Sequence, residues 1–166
     1  MARSLGLLAV VIAVLLFIGP ARSLIFPADR DRFPRVDYTG YVTGFQDVTG
    51  VAAVVPQGLP ASWRANVATA GPLGAGQRLH IGWGVPGQLF AGLDEATGSA
   101  AVLFRDVIGY AAPAHAGSTT VNGEQWQLGR SKRGEEVLAR TVGKLTVIIT
   151  GNATDEQLRF LAASLH

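Results

Sequence analysis

The chain has 166 residues, 48% of them hydrophobic, with no cysteine and a sequence pI near 9.4. That is one ordinary globular domain plus a short extra segment. Absence of cysteine excludes disulfides, thiol nucleophiles, thiolate metal sites and a lipid-bearing cysteine. The basic balance does not extend to the domain. Five arginines face two aspartates up to Arg35, whereas nine Lys/Arg face ten Asp/Glu from Val36 onward. Phosphate-backbone binding needs clustered positive charge on the fold, and only Arg130, Lys132 and Arg133 cluster there, beside Glu135 and Glu136. A nucleic-acid partner is therefore not expected.

The first element is the apolar stretch Leu5 to Gly19, fifteen residues without charge. As helix it would be about 22 Å long, whereas a hydrocarbon core of about 30 Å asks for roughly twenty residues. That length suits a signal-peptide core, and Ala21-Arg22-Ser23 offers a small-x-small cleavage site before Leu24. Extended from Ser4 to Phe26, with Arg22 snorkelling, the same segment would reach about 34 Å as a signal anchor in the bilayer. The residues alone leave both readings open. The arginines after the segment outnumber Arg3 before it, which the positive-inside rule counts toward a cytoplasmic domain. An apolar segment at the extreme N-terminus nevertheless usually exports the chain downstream of it, and an extracytoplasmic domain is expected. The organisation is then residues 1–26 as anchor or signal peptide, 27–35 as a charged tether (PADRDRFPR), and 36–166 as the folded domain.

Within that domain, Tyr38 to Gly50 has apolar spacing that fits a short helix, and VAAVV (51–55) reads as a short buried strand ending at Pro56. Pro56, Gly58 and Pro60 make a turn, and Trp63 opens the next strand. GPLGAGQ (71–77) lacks the Lys-Ser/Thr of a phosphate loop and reads as a flexible loop. LHIGWGV and QLFAGLDEA flank Pro86-Gly87 as a hairpin, and Ala100 to Val107 suits a helix. Asn122-Gly123 is a strong hairpin signal. EVLARTV and KLTVIITG turn at Gly143, the second apolar on both faces as a central strand would be. Thr154 and Gln157 form a capping box ahead of a stripe of Leu158, Leu161, Ala162 and Leu165. The expectation is an α+β domain: an antiparallel sheet of about five to six strands carrying two to three helices, preceded by one transmembrane helix.

Four blocks in this order, VVPQGLPASWR, LHIGWG, VNGEQWQLGRS and LTVIITGNATDEQLRFLAASL, together with the apolar start, resemble the family catalogued as domain of unknown function 4245 over most of the chain. The resemblance implies an actinobacterial protein with one membrane span, kept rather than cleaved, and an extracytoplasmic domain. It carries no established activity, cofactor or catalytic residue, so none is transferred.

The residues suggest little chemistry of their own. His80, His115 and His166 have no metal-ligand spacing, and His80 reads as a satisfied strand histidine near Trp83. Ser99, Ser118 and Ser131 lie outside any Gly-x-Ser-x-Gly elbow. Asp94-Glu95 reads as the rim of a hairpin, its neighbouring side chains on opposite sides of a strand. Trp63, Trp83 and Trp126 could line a glycan or lipid surface, but filling the sheet-helix core is the favoured reading. No catalytic, cofactor-binding or metal residue is assigned. The expected function is a non-enzymatic binding or scaffolding module of the cell envelope at the cytoplasmic membrane. Its partners would be the bilayer through the N-terminal helix, and an envelope protein or a glycan or lipid ligand. The alternatives are an envelope hydrolase using Asp94, Glu95 or Glu124, and a secreted carrier released by cleavage after Ser23.

Overall fold

A computed structural model describes residues 35–113 and 117–166, and Arg35–His166 form one compact unit. The expected apolar helix at residues 4–26 and nearly all of the tether lie outside the described residues, as does His115. Among the described residues no helix is long and apolar enough to cross a membrane.

Tyr38 to Gly50 resolves as helix α1 (Thr39–Thr49). Its start is held by the Asp37 carboxylate, which accepts from the Thr39 N–H at 2.9 Å and is held below its ordinary pKa by that bond. Its end is Gly50 in the left-handed region, a conformation that costs glycine nothing. The helix buries Phe45, and Tyr38 packs edge-on against Trp83.

Strands β1 (Arg64–Leu73), β2 (Gly76–Val85) and β3 (Leu89–Ala96) form one meander, and helix α2 (Ala100–Ile108) follows. Strands β4 (Gly117–Val121), β5 (Glu124–Arg130), β6 (Glu136–Val142) and β7 (Leu145–Gly151) form a second meander, closed by helix α3 (Asp155–Ala163). The meanders join where β3 pairs with β7, giving one antiparallel sheet in the order β1-β2-β3-β7-β6-β5-β4. The domain is α+β, with three helices and seven strands among the described residues rather than five or six strands.

Two local readings are corrected. The expected loop GPLGAGQ is mostly strand: Gly71, Pro72 and Leu73 pair with Arg78, Gln77 and Gly76, leaving only Gly74 and Ala75 to turn. Proline is tolerated there because β1 is an edge strand. The expected strand VAAVV forms no ladder; the isolated bridge beside it pairs Pro56, the next residue, with Leu165. It is apolar because it lies over the sheet between the helices, with Val54 buried. Its backbone bonds go to the Thr49 hydroxyl, to the C-terminus (His166 N–H to Val55 O, with Gln57 N–H to Ser164 O just beyond it) and to a side chain of β3.

Side-chain alternation then splits the core. Leu79, Ile81, Trp83, Leu93, Val147 and Ile149 face α1 and α3, while Ala96, Val137, Ala139 and Ile148 meet Leu103, Phe104 and Ile108 of α2. Strand β7 is buried at every position, as its two-sided apolar pattern implied. The Asn122-Gly123 turn has both residues at positive φ, which matches the twist of its hairpin. The Thr154–Gln157 capping box is formed, and Leu158, Leu161, Ala162 and Leu165 are buried. All three tryptophans are core residues, and the Arg140 guanidinium lies over the Trp126 ring at 4.7 Å.

Candidate functional site

Residues at i and i+2 of a strand share a face, so Arg78 and His80 of β2 stand on the α2 side while Leu79 and Ile81 enter the opposite core. The β2–β3 register sets His80 directly opposite Asp94 and Gly82 opposite Gly92. Asp94 is 2% exposed, and its carboxylate accepts from Arg78 Nε at 2.8 Å and from His80 Nδ1 at 2.9 Å. Two cationic or polar donors thus replace the hydration that a carboxylate loses on burial. An ionised carboxylate only accepts, so in the neutral imidazole the Asp94 bond places the proton on Nδ1 and leaves Nε2 as an acceptor.

Two other elements close the site. Asp106, on α2, accepts from the remaining end of the Arg78 guanidinium. The loop between β5 and β6 brings Arg133 and Glu135, paired at 3.0 Å, with the buried Ser131 hydroxyl donating to the same Glu135 oxygen at 3.1 Å. That loop is fastened to the end of α2 by the Lys132 N–H bond to Ile108 O. Gly92 and Gly151 line the floor of the cavity of about 220 Å³ that results. Phe90 forms its apolar wall, occupying the space a side chain at Gly82 would need and stacking beside His80 with ring centroids 6.5 Å apart. The Thr150 hydroxyl, also in the lining, is committed to Glu136 O.

A larger depression of about 730 Å³ lies at the other end of the strands, around Val48, Gly76, Thr97 and Thr146, but among the described residues Lys144 is its single charged lining residue. The chemistry is concentrated in the smaller cavity.

Glu95, next in sequence, is on the opposite face and wholly buried. Both of its carboxyl oxygens lie within hydrogen-bond distance of the Val54 N–H, at 3.0 and 3.2 Å. Burial pushes its pKa up to about 8, partly offset by the Val54 bond and the Arg140 charge. Asp94 and Glu95 are therefore not a hairpin rim: both are interior residues of a central strand. Glu124 is exposed at the start of β5 and pairs with Arg140 at 3.2 Å. The fold does not gather Asp94, Glu95 and Glu124 into one cleft.

Of the serines, Ser99 precedes α2 without capping it through its side chain, Ser118 is exposed on β4, and Ser131 serves the β5–β6 loop. Among the described residues no cluster of three or more His, Asp or Glu side chains could hold a metal. The site residues missed in sequence are Arg78, Phe90, Asp106, Arg133 and Glu135. A usable signal did exist, because a hairpin centred on Gly87 pairs residue 80 with residue 94 by counting alone.

No curated protein and no solved structure matches the chain. The match that does stand is to the family described as "Protein of unknown function (DUF4245)", over residues 1–165, and the chain belongs to that family.

Proposed function

We propose that this is a binding module of the cell envelope, held at the outer face of the cytoplasmic membrane by its N-terminal apolar segment. Its ligand would meet the Arg78–His80–Asp94 cavity. The observation that carries the reading is the construction of that cavity. Strands β2 and β3, helix α2 and the β5–β6 loop each supply polar side chains to one concavity, which is how a rigid scaffold presents a recognition site. The lining threonine is already bonded to backbone, so the arrangement holds a ligand more readily than it attacks one.

A second reading rests on His80. A histidine oriented by a buried carboxylate is the arrangement of a general base, so a hydrolase of envelope material using water as nucleophile is the alternative. In that case Asp94 would orient His80 rather than act as one of a facing carboxylate pair, because Glu95 and Glu124 are elsewhere.

The test is a pull-down from crosslinked cell envelopes with the full chain and with its His80→Ala variant. The binding reading expects a reproducible component captured by the first and lost from the second. Equal capture by both, or none by either, would remove the cavity from the function.

A further inference from the structure

The lining of this cavity also constrains what it would hold, an inference that rests on the binding reading above. Three of its acceptor positions are uncommitted. In the neutral imidazole His80 Nε2 is an open acceptor, since Nδ1 is bonded to Asp94, and Asp106 and Glu135 each engage one carboxylate oxygen and leave the other. Donors remain too, since Arg78 uses only part of its five N–H groups on Asp94 and Asp106, and the Arg133 side chain is 71% exposed. Acceptors and donors thus share one small space, which Phe90 lines as an apolar wall. A ligand matching that pattern carries several groups that both donate and accept, mounted on a ring with an apolar flank. Hydroxyls have that dual character, whereas carboxylates, phosphates and ammonium groups do not.

Size and charge narrow it further. The cavity of about 220 Å³ is below the usual range for drug-sized ligands and equals the share of liquid volume of roughly seven waters. That suits one six-membered ring with its hydroxyls, any further unit of a glycan lying outside the cavity. The charged lining is Arg78 and Arg133 against Asp94, Asp106 and Glu135, so the three carboxylates outnumber the two guanidiniums and a sugar acid is disfavoured. We propose that the cavity between β2, β3, α2 and the β5–β6 loop binds a single neutral pyranose ring, either a free hexose or the terminal unit of a glycan.

The experiment is an amide NMR titration of the full chain in a sugar-free detergent. The probes are D-glucose, D-galactose, D-mannose, their methyl glycosides and D-glucuronate. The expected result is that at least one neutral hexose shifts the Gly92, Gly151 and Arg133 amides with a dissociation constant of about 1 mM or tighter. His80→Ala should weaken it about tenfold or more, and so should Arg133→Ala, whose exposed side chain can be removed without disturbing the core. A methyl glycoside binding as well as its parent identifies a glycan terminus; binding only of the reducing sugar identifies a free monosaccharide. Tighter binding of glucuronate, or shifts that survive both substitutions, would overturn the proposal. If no sugar binds but a soluble envelope extract shifts the same amides, the sugar inference falls and the binding reading stands. If the extract also fails, both fall.

Discussion

Asp94 and Glu95 are adjacent in β3, yet they face opposite sides of the sheet and serve different ends. Asp94 accepts from Arg78 and His80 on the α2 side, whereas Glu95 accepts the Val54 N–H beneath the segment that runs between α1 and the C-terminus. One carboxylate has charged partners and orients a site. The other has a single backbone donor and a distant arginine, and burial keeps its proton on up to about pH 8.

That contrast predicts the pH dependence of stability. Glu95 releases its proton near 4.5 when unfolded and near 8 when folded, so between these values the native state binds more protons. Its contribution is full below about 4.5 and is lost as pH rises toward 8, at up to about 1.4 kcal/mol per pH unit. Glu95→Gln, which keeps an acceptor for Val54 and cannot ionise, should flatten this slope and be more stable than the wild type at pH 8. Urea denaturation between pH 5 and 9 checks it; parallel curves for the two proteins would refute the assignment.

Replacing Asp94 acts on the other face. Asp94→Asn leaves Arg78 with Asp106 as its one carboxylate partner and frees His80 from its fixed tautomer, and the unfolding free energy should fall by about 2–3 kcal/mol. Nitrogen NMR of the His80 ring should show Nδ1 protonated and Nε2 bare in the neutral wild type, with that preference lost in the variant. An unchanged tautomer would mean that Asp94 does not orient the ring.

The corrected β1–β2 hairpin makes its own prediction. A side chain at Gly76 would lie 2.0 Å from the Thr97 carbonyl oxygen, which is backbone and cannot swing aside, whereas one at Gly84 would meet nothing closer than 3.5 Å. Gly76→Ala should cost about 2 kcal/mol or more, and Gly84→Ala under about 1 kcal/mol. Thermal unfolding of the two variants compares them directly.

The elements legible in sequence were those whose signals are local. The Asn122-Gly123 turn, the Thr154–Gln157 box and the doubly apolar β7 each state their geometry within a few residues, and each is formed as read. VAAVV misled because an apolar run records burial and not pairing; Val54 is buried by lying over Glu95. GPLGAGQ misled because Gly76 is needed for close approach to Thr97 and Gly74 for a tight turn at positive φ, not for a flexible loop. The Asp94–Glu95 pair looked like a rim because charge in a central strand is rare. The bonds that allow it, from Arg78 and His80 across the hairpin, from Arg78 to Asp106 on α2 and from Val54 in a loop, span sequence separations of 14 to 41 residues. His80 opposite Asp94 could have been counted from the turn at Gly87. The Arg133–Glu135 contribution could not, since it depends on the β5–β6 loop docking on α2.

A binding module of the envelope must carry this cavity on the outer side of the cytoplasmic membrane, where envelope material can reach it. Protease treatment of intact cells, with fractionation and detection of the C-terminal domain, tests that placement most directly. The expected result is a chain that sediments with membranes and a domain that is digested without lysis. A domain that stays intact until the cells are broken and is recovered in the cytosolic fraction would contradict it.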